Sequence, residues 1–123
     1  MKKTTFDITP MGKPRIVRSD IWSGRKCVSD YYAFKDRLVL QARRKRFKVK
    51  NTLTLEFQIP MADSWSDKKK KIQAGKPHLY KPDIDNLVKA FLDSLCEDDS
   101  HVWNLTACKK WARRGKIIAS TSS

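Results

Sequence analysis

Hydrophobic and polar positions change their period several times along this 123-residue chain. Thr4 to Thr9 alternates, with Phe6 and Ile8 on one face, and predicts a short first strand. Pro10, Gly12 and Pro14 then break any regular pattern, so PMGKPRIVRS reads as a basic loop or irregular extended segment. Farther on the period lengthens. Tyr31, Phe34, Leu38 and Ala42 recur at helical spacing, with Ser29 or Asp30 placed to cap the helix. That helix runs into RRKRFKVK, where six of eight residues are Lys or Arg. Basic residues in a last turn suit the helix macrodipole. Six in eight exceed what a cap requires.

TLTLEFQI is the clearest strand: Leu53, Leu55, Phe57 and Ile59 alternate with Thr52, Thr54, Glu56 and Gln58 until Pro60. Residues 61–80 are polar and basic, with a short helix expected from Ser64 or Ser66 to a stop at Gly75, carrying Lys68 to Lys71. A second good helix starts near Asp85 and places Leu87, Val88, Phe91, Leu92 and Leu95 on its apolar face. After an acidic turn, HVWNLTACKKW alternates again, and KIIAS predicts a weak final strand. The order β-α-β-(short α)-α-β-β predicts one α+β domain over residues 1–119, a mixed or antiparallel sheet packed against two main helices. The Ser/Thr-rich residues 120–123 read as a frayed tail.

Composition narrows the partner. Lys and Arg outnumber Asp and Glu by 27 to 13, for a formal net charge of +14. Such a surface attracts polyanions and releases counterions from each phosphate it neutralises, so nucleic acid leads among the expected partners. No segment joins a basic face to a strongly apolar one, which disfavours a membrane surface. No apolar run spans a bilayer and no signal-peptide core follows the basic start, so a cytosolic protein is expected. Cys27, Cys96 and Cys108 are odd in number and form no C-x-x-C pair, which signals neither a disulfide framework nor zinc. Reduced, partly buried thiols are expected.

Against this basic background, six of the 13 acids (Asp83, Asp85, Asp93, Glu97, Asp98 and Asp99) fall within 17 residues. Asp83 and Asp85 are two apart, so on an extended segment their carboxylates share a side. Asp85 is also placed to cap the following helix, with Lys89 one turn along. Asn86, Lys89 and Asp93 form that helix's polar stripe. Each feature has a structural reading alone: a cap, a surface ion pair, a solvated turn. Together, carboxylates this dense repel one another and the nucleic acid that the rest of the chain attracts. A divalent cation resolves both problems, and hard oxygen ligands with few histidines favour Mg²⁺ or Mn²⁺ over zinc. An EF-hand is excluded, because Leu87 and Val88 stand where an oxygen ligand and the turn glycine belong. In a nuclease, carboxylates hold one or two metals that activate water, and a lysine adds positive charge at the reacting phosphate. The common restriction-nuclease pattern fits poorly: Pro82-Asp83 is present, but no acid-x-lysine triplet follows.

KPDIDNLVKAFLDSL followed by EDDSHV resembles the core signature of RusA-type Holliday-junction resolvases, homodimeric Mg²⁺-dependent endodeoxyribonucleases common in prophages. PMGKPRIVRS is similar to that family's N-terminal proline- and arginine-containing segment, and SWSDKKKKIQAGKPHLYKPDIDN to the approach to its catalytic strand. The resemblance runs from about Thr9 to Trp111. It implies that Asp83 and Asp85 are paired metal-binding aspartates, Lys89 the catalytic lysine and Asp99 the third essential aspartate, with Asp98 assisting. It further implies in-line attack on a backbone phosphorus, leaving a 5′-phosphate and a 3′-hydroxyl. One departure stands out. The family usually has several residues between its LD-x-L and EDDS, whereas here only Cys96 separates Leu95 from Glu97, leaving Asp98 and Glu97 as alternative ligands.

The expected substrate is branched DNA, a four-way junction, rather than a small molecule. Resolving a junction takes two symmetric cuts and each chain supplies one site, so a homodimer is expected. Lys13, Arg15, Arg18, Lys68, Lys69, Lys70, Lys71 and Lys76 are the candidate phosphate contacts. His78 and His101 read as surface or strand-end histidines rather than ligands. Trp65, Trp103 and Trp111 read as packing residues, with Trp65 also able to stack on an unpaired base. Two alternatives stay open: a non-catalytic nucleic-acid-binding protein whose acids only cap and pair, and a related nuclease acting on flaps, forks or RNA.

Overall fold

The structure, a computed structural model, describes residues 2–14 and 26–123. Its elements are β1 (Thr4–Phe6), α1 (Lys26–Lys45), β2 (Thr52–Pro60), α2 (Asp67–Gln73), α3 (Ile84–Leu95), β3 (Asn104–Ala112) and β4 (Lys116–Ser122). This is the expected order and an α+β fold. The four strands form one mixed sheet in the order β1-β4-β2-β3. β4 pairs antiparallel with both β1 and β2, and β3 runs parallel to β2. Parallel neighbours need a long crossover; here residues 61–103 supply it and carry α2 and α3.

The alternation of β2 decides which sheet face is buried. Leu53, Leu55, Phe57 and Ile59 turn inward and are buried, while Thr54 is exposed and Thr52, Glu56 and Gln58 are half-buried on the other face. α1 and α3 cover the inner face, with Tyr31, Phe34, Leu38 and Ala42 of α1 and Leu87, Val88, Ala90 and Phe91 of α3 in one core. Phe6, Phe47 and Phe91 meet edge-on, with ring centroids 5.3 to 6.3 Å apart, a favourable arrangement for aromatic quadrupoles.

Helix α1 spans Lys26–Lys45, so Ser29 and Asp30 lie inside it rather than capping it; Ser29 Oγ donates to Lys26 O at 3.0 Å. Its end is a Schellman-type cap, with Arg46 at φ 53° and Phe47 N donating to Ala42 O at 2.9 Å. That reversal swings Phe47 into the phenylalanine cluster and leaves Arg43, Arg44, Lys45 and Arg46 exposed. The basic run therefore ends a helix and stays available to solvent.

At the C-terminal end KIIAS forms the expected final strand, though not a weak one: β4 lies between β1 and β2 with Ile117 and Ala119 fully buried. Residues 120–122 are not frayed either. Thr121 Oγ1 donates to Thr52 O at 2.7 Å, and the Thr52 and Ser122 hydroxyls lie 2.6 Å apart. The short link from β3 to β4 passes close to β1's exit, where a Cβ on Gly115 would sit 2.6 Å from Thr9 Cα. Among the described residues no helix is long and apolar enough to cross a membrane.

Candidate active site

Helix α3 carries the site. Asp83 occupies the N-cap position, yet its side chain makes no capping hydrogen bond; only its carbonyl accepts, from Asn86 N and Leu87 N, each at 3.1 Å. Asp85 lies in the first helical turn and is not the cap. Hence neither carboxylate has the capping task that would explain it structurally, and both are exposed. Lys89 Nζ lies 3.9 Å from Asp85 Oδ2, a loose pair with both side chains about two-thirds exposed. A pair so open contributes little to stability, so fold stability does not account for it.

The late acids turn back along the same helix. A cleft of about 250 Å³ is lined by Lys13, Lys89, Leu92, Asp93, Cys96 and the run Glu97, Asp98 and Asp99. The turn that carries them is tied to the start of β2. Asn51 Nδ2 donates to His101 O at 3.0 Å, and Trp103 N donates to Asn51 O at 3.0 Å. The His101 ring nitrogens lie 3.0 Å from Asp98 O and 3.3 Å from Val49 O. Asp98 Oδ1 accepts from Ser100 N at 2.9 Å, and this bond is the main cause holding its carboxyl below the usual aspartate range.

Asp93 is a site residue that the sequence pattern assigned only to a polar stripe. Its Oδ2 accepts from Tyr31 Oη at 2.6 Å and from Lys35 Nζ at 3.2 Å, while Lys13 Nζ lies 3.7 Å from Oδ1. The Tyr31 hydroxyl is the largest cause of a lowered Asp93 pKa, with Lys35 and Lys13 adding to it against burial. Burial, then the Asp93 bond, pushes Tyr31 upward. Asp93 therefore ties α1 to α3 and brings Lys13 to the acidic cleft. Gly12 permits that approach, since a Cβ there would meet Asn86 Nδ2 at 2.6 Å. A depressed carboxyl stabilises the fold above its unfolded pKa, and that contribution is lost as pH falls through the lower folded value. Asp93→Asn should thus lower unfolding free energy by about 1 kcal/mol at neutral pH, discounted for partial exposure. The gap from wild type should close in acid, below the ordinary aspartate value of 3.8. Urea melts at several pH values measure it; an equal gap at every pH would show that the carboxylate charge is not the cause.

The residues approaching Asp83 are pinned from the sheet. Lys109 Nζ donates to Pro82 O at 2.8 Å and also to Tyr80 O. Residues 75–78 run along β3, with Gly75 N donating to Trp111 O at 2.8 Å and Trp111 N to Lys76 O at 2.9 Å. His78, expected at the surface, is buried instead. Its ring centroid lies 4.4 Å from that of Trp111, and burial, then Lys109, lowers its pKa.

The sequence reading joins Asp83, Asp85, Asp98 and Asp99 in one metal set, but the structure does not gather the four. Among the described residues no three Asp, Glu, His or Cys side chains converge closely enough to hold a metal ion. Asp83 and Asp85 stand at the start of a 12-residue helix, and the late acids follow its end. Such a helix is about 18 Å long. Cys96 alone separates α3 from Glu97, and the late acids share their cleft with Lys89, which also pairs loosely with Asp85. The donor set still fits Mg²⁺ in kind: these are exposed hard oxygens, and Mg²⁺ is commonly held by one or two carboxylates together with water and substrate phosphates. Of the candidate phosphate contacts, Lys13 enters the cleft, Lys68 to Lys71 lie on α2 and Lys76 follows it. Arg15 and Arg18 lie outside the described residues.

Exposed carboxylates that cap nothing and an adjacent lysine thus stand at the head of α3 in a strongly basic α+β domain. Residues 6–119 match the family described as Endodeoxyribonuclease RusA. The chain belongs to that family, and so to nucleases that act on DNA. No match is found among the curated proteins.

Proposed function

We propose that the chain is a Mg²⁺-dependent endonuclease that resolves four-way DNA junctions by paired symmetric nicks in recombination and repair, acting as a homodimer. The observation that carries this reading is Lys89, which lies 3.9 Å from Asp85 and also lines the cleft of Glu97, Asp98 and Asp99. A cation between two carboxylate groups gives a scissile phosphate somewhere to rest in an otherwise repulsive patch.

Asp83 and Asp85 would hold Mg²⁺ (Mn²⁺ as substitute) together with phosphate oxygens, while Asp99, with Asp98 assisting, would act from the cleft on the other side of Lys89. When bound, the metal supplies charge neutralisation at the phosphate and an acidified water. The chain's own residues do the rest. Lys89 offsets the charge that builds on the phosphate oxygens. Asp93 holds Lys13 at the cleft rim, and Lys109 fixes the backbone leading to Asp83. The lysines of α2 draw the flanking phosphates in.

The test offers labelled four-way junction, fork, flap and duplex DNA, and RNA, with Mg²⁺ or with chelator, and reads cutting on denaturing gels. Light scattering and a cruciform plasmid report the assembly. The expected result is Mg²⁺-dependent cutting of the junction above all other substrates, a dimeric mass and linear plasmid product. A stable monomer that yields only nicked circles would defeat the resolvase reading in favour of a simple nicking enzyme. Faster cutting of forks, flaps or RNA would reassign the substrate.

A further inference from the structure

An aromatic pocket adjoins the segment that Lys109 pins and shares Tyr80 with it. It measures about 450 Å³ and is lined by Trp65, Lys69, Gln73, Tyr80 and Trp111, a size within the range of small-ligand sites. The Trp65 and Trp111 rings are 4.8 Å apart, and Tyr80 stands 6.1 Å from Trp111. His78 backs Trp111 from within. Lys69 Nζ rests 4.0 Å from the Trp65 ring centroid.

Packing explains part of this cluster. Helix α2 buries none of its residues, so Trp65 on Trp111 fastens it to the sheet. Packing does not explain the rest. Tyr80 is 69% exposed and Leu79 82% exposed, so the Tyr80 ring is open to a partner rather than committed to the core. Lys69 lines the pocket, and it belongs to the run of four lysines, Lys68 to Lys71, carried by α2. Aromatic faces beside a row of cations match the two halves of a nucleotide, a stacking surface for the base and charge for its phosphate. Gln73 adds an amide that both donates and accepts, suited to a base edge. A nucleic acid uses both features, the ring faces and the cations. Tyr80 is three residues from Asp83, at most about 10 Å of backbone, and Lys109 holds the residues between them.

We propose that Trp65, Tyr80 and Trp111 form a stacking pocket for one unpaired nucleobase of the DNA, adjacent to the cut phosphate, with the α2 lysines on its backbone. The inference rests on the nuclease reading above and deepens it. A base drawn out of the stack at a branch point would then position the neighbouring phosphate at Asp83. Junctions expose such bases at lower unstacking cost than intact duplex does, which gives the pocket a part in substrate choice.

The test places 2-aminopurine, or an abasic residue, at each position around the branch of a four-way junction and titrates it with the full chain in Ca²⁺. Wild type should quench 2-aminopurine at one position flanking the cut. An abasic residue there should weaken binding about 5- to 150-fold, the range for losing one stacked base. Tyr80→Ala removes an exposed ring and should lose the quenching and weaken binding without changing the salt slope, because stacking releases no counterions. Tyr80→Phe should restore both. Trp65→Leu, checked by thermal melt, should repeat the loss. If no position is quenched and abasic substitution is neutral everywhere while Mg²⁺ still supports junction cutting, the pocket is wrong and the nuclease reading stands. A protein that neither binds nor cuts junctions overturns both. A salt slope that falls with Tyr80→Ala would assign the effect to phosphates and refute stacking.

Discussion

Asp83→Asn and Asp85→Asn should each reduce DNA cutting by at least about 10²- to 10³-fold, the scale for losing one group that stabilises charge at a reacting phosphate. Junction binding should hold or tighten, because each change removes a negative charge beside the DNA backbone. Neither carboxylate caps α3 and both are exposed, so folding should be unaffected and the loss reads directly as chemistry. Among the late acids the expected order of damage is Asp99→Asn, then Asp98→Asn, then Glu97→Gln. Asp98 already commits Oδ1 to the Ser100 amide at 2.9 Å, which leaves Asp99 the freer carboxylate. Single-turnover rates on a labelled junction measure all five variants. Wild-type rates in either Asp83→Asn or Asp85→Asn would sink the site assignment. The reverse ranking of the late acids would show that the shortened turn has re-registered them.

The second large effect concerns salt. With about six phosphates neutralised, log affinity should fall against log salt with a slope near −5, or about 10³-fold between 50 and 200 mM. The structure says where those cations stand. Lys68, Lys69 and Lys71 are exposed on a helix that buries nothing, so their chief use is external. Replacing the three with Gln should reduce the slope by about 2 to 3. Lys13 should contribute less than its sequence position suggests, because Asp93 lies 3.7 Å from its ammonium. Fluorescence anisotropy across a salt series measures each slope. A wild-type slope near −1 would mean that most of the +14 charge faces away from DNA.

Several of these assignments were legible in one dimension. The buried face of β2 follows from its two-residue period, and those of α1 and α3 from their helical spacing, because a side chain's direction along one element needs no knowledge of its neighbours. The gathering of six acids in a basic chain, with Lys89 among them, is visible in the sequence itself, as is the likeness of KPDIDNLVKAFLDSL to a nuclease family. Even the stop of α2 at Gly75, which adopts φ 83°, is a local matter.

What the sequence by itself determined is therefore the identity of the elements, the face each one buries, the sign of the surface charge and the residues able to do chemistry. What only the tertiary structure decided is who meets whom. KIIAS read as a weak final strand, yet β4 is central, with strands on both sides and Ile117 and Ala119 buried. Asp93 looked like a solvent-facing residue until Tyr31, 62 positions away, donated a hydrogen bond to it. His78 gave no sign that Trp111 would bury it. The two acid groups sit close in sequence, but the rigid rise of α3 holds them apart and leaves Lys89 as their common neighbour. Local periodicity encodes direction along an element. Contacts between elements arise from competition among all the apolar faces for one core, and no window of sequence contains that competition.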